Sequence, residues 1–191
     1  MAYAEPLESG HYLFDKVNQH TGELEAKAGV ISALAGEIWR EHYTPLIGEE
    51  QVAYMLIKYQ SPKQIVEDIR SHNYTYFTAK RVKTEDLVGY CACQPREGHL
   101  FLSKIYVRSD HRGNGISRSF LEEAIALCRR VYTLDRIRLT VNKHNGTAIT
   151  VYKKWGFTVA DSVKTDIGEG FFMDDYVMEL RLEPLWGGRN A

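Results

Sequence analysis

The chain has no uninterrupted apolar run of membrane-spanning length, and its first thirty residues lack the apolar core of a secretory signal. A soluble, cytoplasmic protein with no membrane partner is the expectation. Charge of one sign is also missing: 24 Lys and Arg stand against 25 Asp and Glu, a formal net charge of -1. Bulk electrostatics therefore point to no nucleic acid, and any basic site must be local. Only three cysteines occur, Cys91, Cys93 and Cys128, with no CxxC pair and no histidine at zinc-ligand spacing. That excludes a disulfide framework and leaves no expected metal. Cys91 and Cys93, two apart in a strand-like segment, share a face and are read as small packing groups. No linker, repeat or low-complexity tract interrupts the chain, so residues 1–182 are expected to form one domain, with a loose tail at 183–191.

Periodicity supplies the elements. Tyr12–Val17 reads as a short strand, and residues 24–42 carry apolar positions at helical spacing, ended by Pro45 and Gly48. A second helix is expected over 49–59, and a third opens with Ser61 as N-cap and Pro62 at its first position. Strands are expected over 74–82, 87–94 and 100–107, neighbouring and antiparallel, then a helix over 115–131 and a strand over 136–141. A helix over 145–155 and strands over 157–164 and 171–182 complete the order.

Between the 100–107 strand and the next helix lies His111-Arg112-Gly113-Asn114-Gly115-Ile116-Ser117. Two glycines let the backbone turn so that successive N–H groups point one way, and the helix start adds unpaired donors and a positive dipole end. A pyrophosphate suits such a loop. A dinucleotide fingerprint would require glycine where Arg118 stands, and the G-x-x-x-x-G-K-[ST] spacing of a nucleoside-triphosphate loop is absent.

Arg112, Gly115 and Ser117 have the R/Q-x-x-G-x-G/A spacing that resembles the coenzyme A loop of Gcn5-related N-acetyltransferases, with Ser117 departing from the usual Gly or Ala. Leu139, Val141, Asn145, Ala148, Tyr152 and Gly156-Phe157 match the second signature of the same family, L-x-V-x-x-x-N-x-x-A-x-x-x-Y-x-x-x-G-F. Independently of the family, Asn145 is a good N-cap and Gly156 a good helix terminator. The resemblance implies an α+β fold with a mixed, mostly antiparallel central sheet of six to seven strands and helices on both faces. It implies acetyl-coenzyme A as cosubstrate, contacted by Ile105, Tyr106, Val107, Arg112, Gly113, Asn114, Gly115, Ile116, Ser117, Asn145 and Tyr152. Tyr152 takes the general-acid role, since a phenol with an ordinary pKa near about 10 carries a proton for a departing thiolate.

The implied reaction is direct transfer of acetyl to a primary amine, a small amine or polyamine, through a ternary complex. Alternatives are a non-catalytic coenzyme A-binding regulatory module and an enzyme acting on protein N-termini or lysines. The base stays open: Phe101 stands where some family members place a strand glutamate, leaving Glu37, Glu41, His42, Tyr43 or a water chain. Asp166, Glu169, Asp174 and Asp175 gather at the final hairpin, where negative charge would favour a cationic amine. Cys128, amid apolar neighbours, is a poor covalent nucleophile. Phe171, Phe172 and Trp186 are read as lining an acceptor pocket or a homodimer contact, with plain packing as the default.

Overall fold

A computed structural model describes residues 11–183. Its seven strands, β1 (Tyr12–Val17), β2 (Thr75–Arg81), β3 (Leu87–Arg96), β4 (His99–Val107), β5 (Arg136–Asn142), β6 (Thr158–Gly168) and β7 (Phe171–Arg181), form the order β1-β2-β3-β4-β5-β7-β6, and the chain contacts divide into two compact units. Trp186, with the rest of the expected tail from residue 184, lies outside the described residues. No helix among the described residues is long and apolar enough to cross a membrane.

The first unit spans residues up to 94 and 103–123. It opens with β1 (Tyr12–Val17), then α1 (Leu24–Ile47), α2 (Glu49–Gln60) and α3 (Pro62–Ser71). Leu24, Ala28, Ile31, Leu34, Ala35, Ile38 and Trp39 are the buried stripe of α1, the i, i+3, i+4 spacing expected of an amphipathic helix. The expected end of α1 at His42 is corrected, because the helix runs through Pro45 to Ile47. A proline in the last turn forfeits a single main-chain bond there. The stop comes at Gly48, whose N–H bonds the Thr44 carbonyl at 3.0 Å. In α3 the Ser61 hydroxyl accepts from Gln64 N–H at 3.3 Å, with Pro62 in the first turn.

β2 (Thr75–Arg81) lies between β1 and β3 (Leu87–Arg96), antiparallel to both. Thr75 to Ala79 and Val88 to Cys93 are continuously buried, so both strands bury both faces rather than alternating. Cys91 and Cys93 sit side by side there, fully buried, with sulfurs 4.0 Å apart. Burial pushes the Cys91 thiol pKa up, which suits packing rather than reactivity. The C-terminal part of β4 (His99–Val107) and the first two turns of α4 (Ile116–Arg130) complete this unit.

The second unit spans 95–102 and 124 onward. The start of β4 pairs in parallel with β5 (Arg136–Asn142), and β7 (Phe171–Arg181) lies antiparallel between β5 and β6 (Thr158–Gly168). α5 (Gly146–Lys154) follows β5. β6 outruns its expected end by four residues, as far as Gly168. It is exposed along nearly its whole length and so carries little of the alternation that marks a strand in sequence.

Candidate functional site

In the first unit the chain leaves β4, makes a short 3₁₀ turn at Ser109–His111, and swings through Gly113 and Gly115 into α4. Both glycines have positive φ, 80° and 81°, the left-handed region that side chains rarely adopt, and an added Cβ at either would meet nothing within 4 Å. The backbone conformation therefore demands glycine, while the space over the loop stays open. The first helical bond is from Ser119 N–H to the Gly115 carbonyl at 3.0 Å. The amides of Ile116, Ser117 and Arg118 thus precede the helical ladder, the arrangement that favours an anion. Arg112, Gly113, Asn114 and Gly115 are exposed, Ser117 is half-buried and Ile116 is buried as the loop's apolar anchor.

Side chains hold the loop in this shape. Asn114 Nδ2 donates to the His111 carbonyl at 3.0 Å, and Arg112 Nε donates to the Val107 carbonyl at 3.1 Å. Arg112 therefore ties the loop back to the strand end. His111 is buried, its Nδ1 2.9 Å from the Tyr12 hydroxyl and its Nε2 3.0 Å from Arg108. Nothing in the sequence pairs Tyr12 with the loop, because β1 is distant along the chain.

β4 leaves its partner early. Its register with β5 comprises Leu100↔Ile137 and Phe101↔Arg138. The following residues lie outside that ladder, and Ile105, Tyr106 and Val107 are only half-buried. Tyr106 packs against Trp39, Tyr43 and Tyr90, with ring centroids 5.6, 6.3 and 5.3 Å away. His42 stacks edge-on against Tyr43, whose hydroxyl is 3.5 Å from that of Tyr106. Glu37 and Glu41 are exposed on α1, Glu37 lying 3.9 Å from Arg108. This aromatic group escapes a sequence reading because its members come from three separate elements.

Asn145 and Tyr152 stand in the second unit, at the start and in the last turn of α5. Asn145 Oδ1 accepts from Ala148 N–H at 3.2 Å, and Gly156 ends the helix at φ 94°. Tyr152 is half-buried, its ring 5.7 Å from Trp155 and 5.8 Å from Phe157. No residue of α5 itself is buried.

The four hairpin acids separate by role. Asp166 accepts from Gly168 N–H at 2.8 Å and Glu169 adopts φ 55°, both turn duties. Asp174 bonds Lys143, which holds its carboxyl below the usual range. Asp175 is buried, and desolvation, with Asp174 beside it, pushes its pKa up to about 6. Phe171 is half-buried and Phe172 exposed beneath Lys164, 4.9 Å from the ring centroid. Arg96 covers the ring of Phe101 at 3.7 Å, and buried Cys128 donates weakly to the Leu134 and Arg136 carbonyls.

Compared with known proteins, the chain matches the model of the acetyltransferase (GNAT) family over residues 35–157, more than half its length. The L-amino acid N-acetyltransferase AaaT of Escherichia coli (strain K12) is 34% identical over 98 residues, 49% of this chain and 60% of that protein. The chain thus matches about three-fifths of that relative's length. The spermine/spermidine N(1)-acetyltransferase of Bacillus subtilis (strain 168) is 24% identical over 119 residues, 58% of this chain and 75% of the relative. In fold, the chain resembles the PaiA N-acetyltransferase from Thermoplasma acidophilum, solved in complex with coenzyme A. That likeness has a TM-score of 0.71 at 20% identity and covers 89% of this chain and 98% of the other.

Proposed function

The chain belongs to the acetyltransferase (GNAT) family, and from that membership we propose that it transfers the acetyl group of acetyl-coenzyme A directly to a primary amine, a small amine or polyamine, in a ternary complex. The observation that carries this reading is the loop from Arg112 to Ser117. Its two left-handed glycines leave open space above a run of backbone N–H groups at the start of α4. A pyrophosphate is the anion such a cradle suits.

The roles follow from the chemistry each group carries. Loop amides of Gly113, Asn114, Gly115, Ile116 and Ser117 bind the pyrophosphate, and Arg112 keeps the loop folded against Val107. The backbone of Ile105, Tyr106 and Val107 takes the pantetheine arm and aims an N–H at the thioester oxygen. The negative charge that grows there when the amine attacks is stabilised by that fixed dipole. The C–N bond forms, the C–S bond breaks, the Tyr152 hydroxyl gives its proton to the thiolate, and the proton shed by the nitrogen passes through solvent to restore the Tyr152 hydroxyl. Asn145 caps the helix that carries Tyr152. The amine must first lose a proton, because ammonium has no lone pair. Three buried cysteines in the thiol form suit a reducing, cytoplasmic setting.

Release of free thiol from acetyl-coenzyme A is the test, across polyamines, amino acids, aminoglycosides and protein N-terminal peptides. Tyr152→Phe is expected to lower kcat by about 10²-fold or more with coenzyme A affinity unchanged. Equal turnover by the variant would remove the acid role. Tight coenzyme A binding with no turnover of any amine would favour a non-catalytic module, and turnover confined to peptides would move the acceptor to proteins.

A further inference from the structure

Lys104 is a charged residue in a core position. It lies on β4 between Leu102, which is buried, and Tyr106, which is half-buried, on the face of the strand that alternates with Ser103 and Ile105. Its side chain is 7% exposed and its ammonium lies 3.1 Å from Asp68 Oδ2 on α3, itself 9% exposed. The ammonium also lies over the rings of Tyr74 and Tyr76, with centroids 4.8 and 5.3 Å away. Burial pulls the Lys104 pKa down, and Asp68 opposes that shift.

Asp68 is the hub. Besides Lys104 it accepts from the Tyr76 hydroxyl at 3.1 Å and from Gln64 Nε2 at 2.9 Å, with His72 Nδ1 3.5 Å away. Its own carbonyl accepts from the N–H groups of His72 and Tyr74. One residue thus joins α3, the entry to β2 and the middle of β4. On the other flank of β4, Gly89 of β3 lies so close that a Cβ there would stand 3.0 Å from the Tyr106 carbonyl.

A buried ion pair is a poor way to add stability, since desolvating two charges costs about as much as their attraction returns, and apolar pairs of similar volume often serve as well. Its worth lies in direction: an ammonium held by a carboxylate and two ring faces has one position, and the strand that carries it has one rotation. The next residues are Ile105, Tyr106 and Val107, which like Lys104 lie beyond the β5 ladder.

We propose that the Asp68–Lys104 pair positions β4 so that the backbone of Ile105–Val107 meets the acyl group in one fixed geometry. This rests on the transfer reaction above. Neither side chain touches the reacting atoms; both are positioning residues. Loss of the pair is felt mainly in kcat, through misaligned donors, and much less in coenzyme affinity, because the pyrophosphate is held by the loop at 112–117 and the pantetheine contacts of 105–107 are a smaller share.

The test compares wild type with K104M/D68N, which removes both charges together and keeps a side-chain oxygen to accept from the buried Tyr76 hydroxyl; K104M alone buries an unpaired carboxylate and serves as a folding control. Expected for the double variant are a melting temperature close to wild type, a coenzyme A Kd within about threefold, and a kcat lowered by about tenfold or more. A kcat within about twofold of wild type overturns the proposal. Collapse of melting temperature, coenzyme affinity and kcat together also overturns it, since the pair would then be structural only. If wild type acetylates no amine, the transfer reading fails. The pair is then judged by amide hydrogen exchange with coenzyme A bound: faster exchange confined to residues 105–107 supports positioning, and unchanged exchange overturns it.

Discussion

Asp175 shows how far one residue's chemistry depends on its surroundings. Its carboxyl is buried on β7, opposite Asn142 on β5 and Val163 on β6, and its pKa is raised from the ordinary 3.8 to about 6. The folded state therefore holds this proton to higher pH than the unfolded chain does. The residue costs nothing below the ordinary range and destabilises progressively as pH rises through about 6. Asp175→Asn is expected to be more stable than wild type by roughly 1–2 kcal/mol at pH 8, after allowance for partial solvent screening, with the gap closing near pH 4. Urea unfolding at the two pH values measures it, and a pH-independent gap would contradict it. Sequence groups Asp175 with Asp166, Glu169 and Asp174 and cannot rank them, because burial distinguishes them and burial is a property of the packed sheet. Tyr152 and the loop glycines, by contrast, are legible as residues: their motif spacing and the conformational demands on glycine are both local.

α5 is the element on which a local signal matters most. It has nine residues, none of them buried, so packing contributes little and its ends contribute much. Asn145→Ala removes the acceptor for Ala148 N–H and is expected to cost about 1 kcal/mol, read by urea unfolding. An unchanged midpoint would show that the cap is dispensable. Capping residues and glycine terminators were readable for α3, α5 and the start of α4, since each acts within one turn of helix. Boundaries slipped where the local signal was weak or was overridden. α1 runs through Pro45 because one forfeited N–H bond near its end is small beside the rest of a 24-residue helix, and β6 extends to Gly168 without an apolar stripe because it lies at the edge of the sheet order, largely exposed.

At the scale of the molecule, a ligand that binds only the folded chain must raise its melting temperature. Coenzyme A at about 100 times its Kd stabilises by about 2.7 kcal/mol, roughly 5–10 °C for a chain of this size. Gly115→Val is expected to abolish most of that shift, because valine resists the φ of 81°. A full shift in the variant, or none in wild type, would dissociate the loop from the coenzyme. The sequence by itself determined the features that act over a few residues: the order of helices and strands, the caps, the glycine turn after β4, and through two signatures the family. Tertiary structure alone decided which polar groups are removed from water and what they meet there. Lys104 finds Asp68 across 36 residues, Tyr12 finds His111 across 99, and β7 is inserted between β5 and β6. Each partnership is set by the strand order and by the cost of desolvating a polar group without a partner, and neither is written in any short window of sequence.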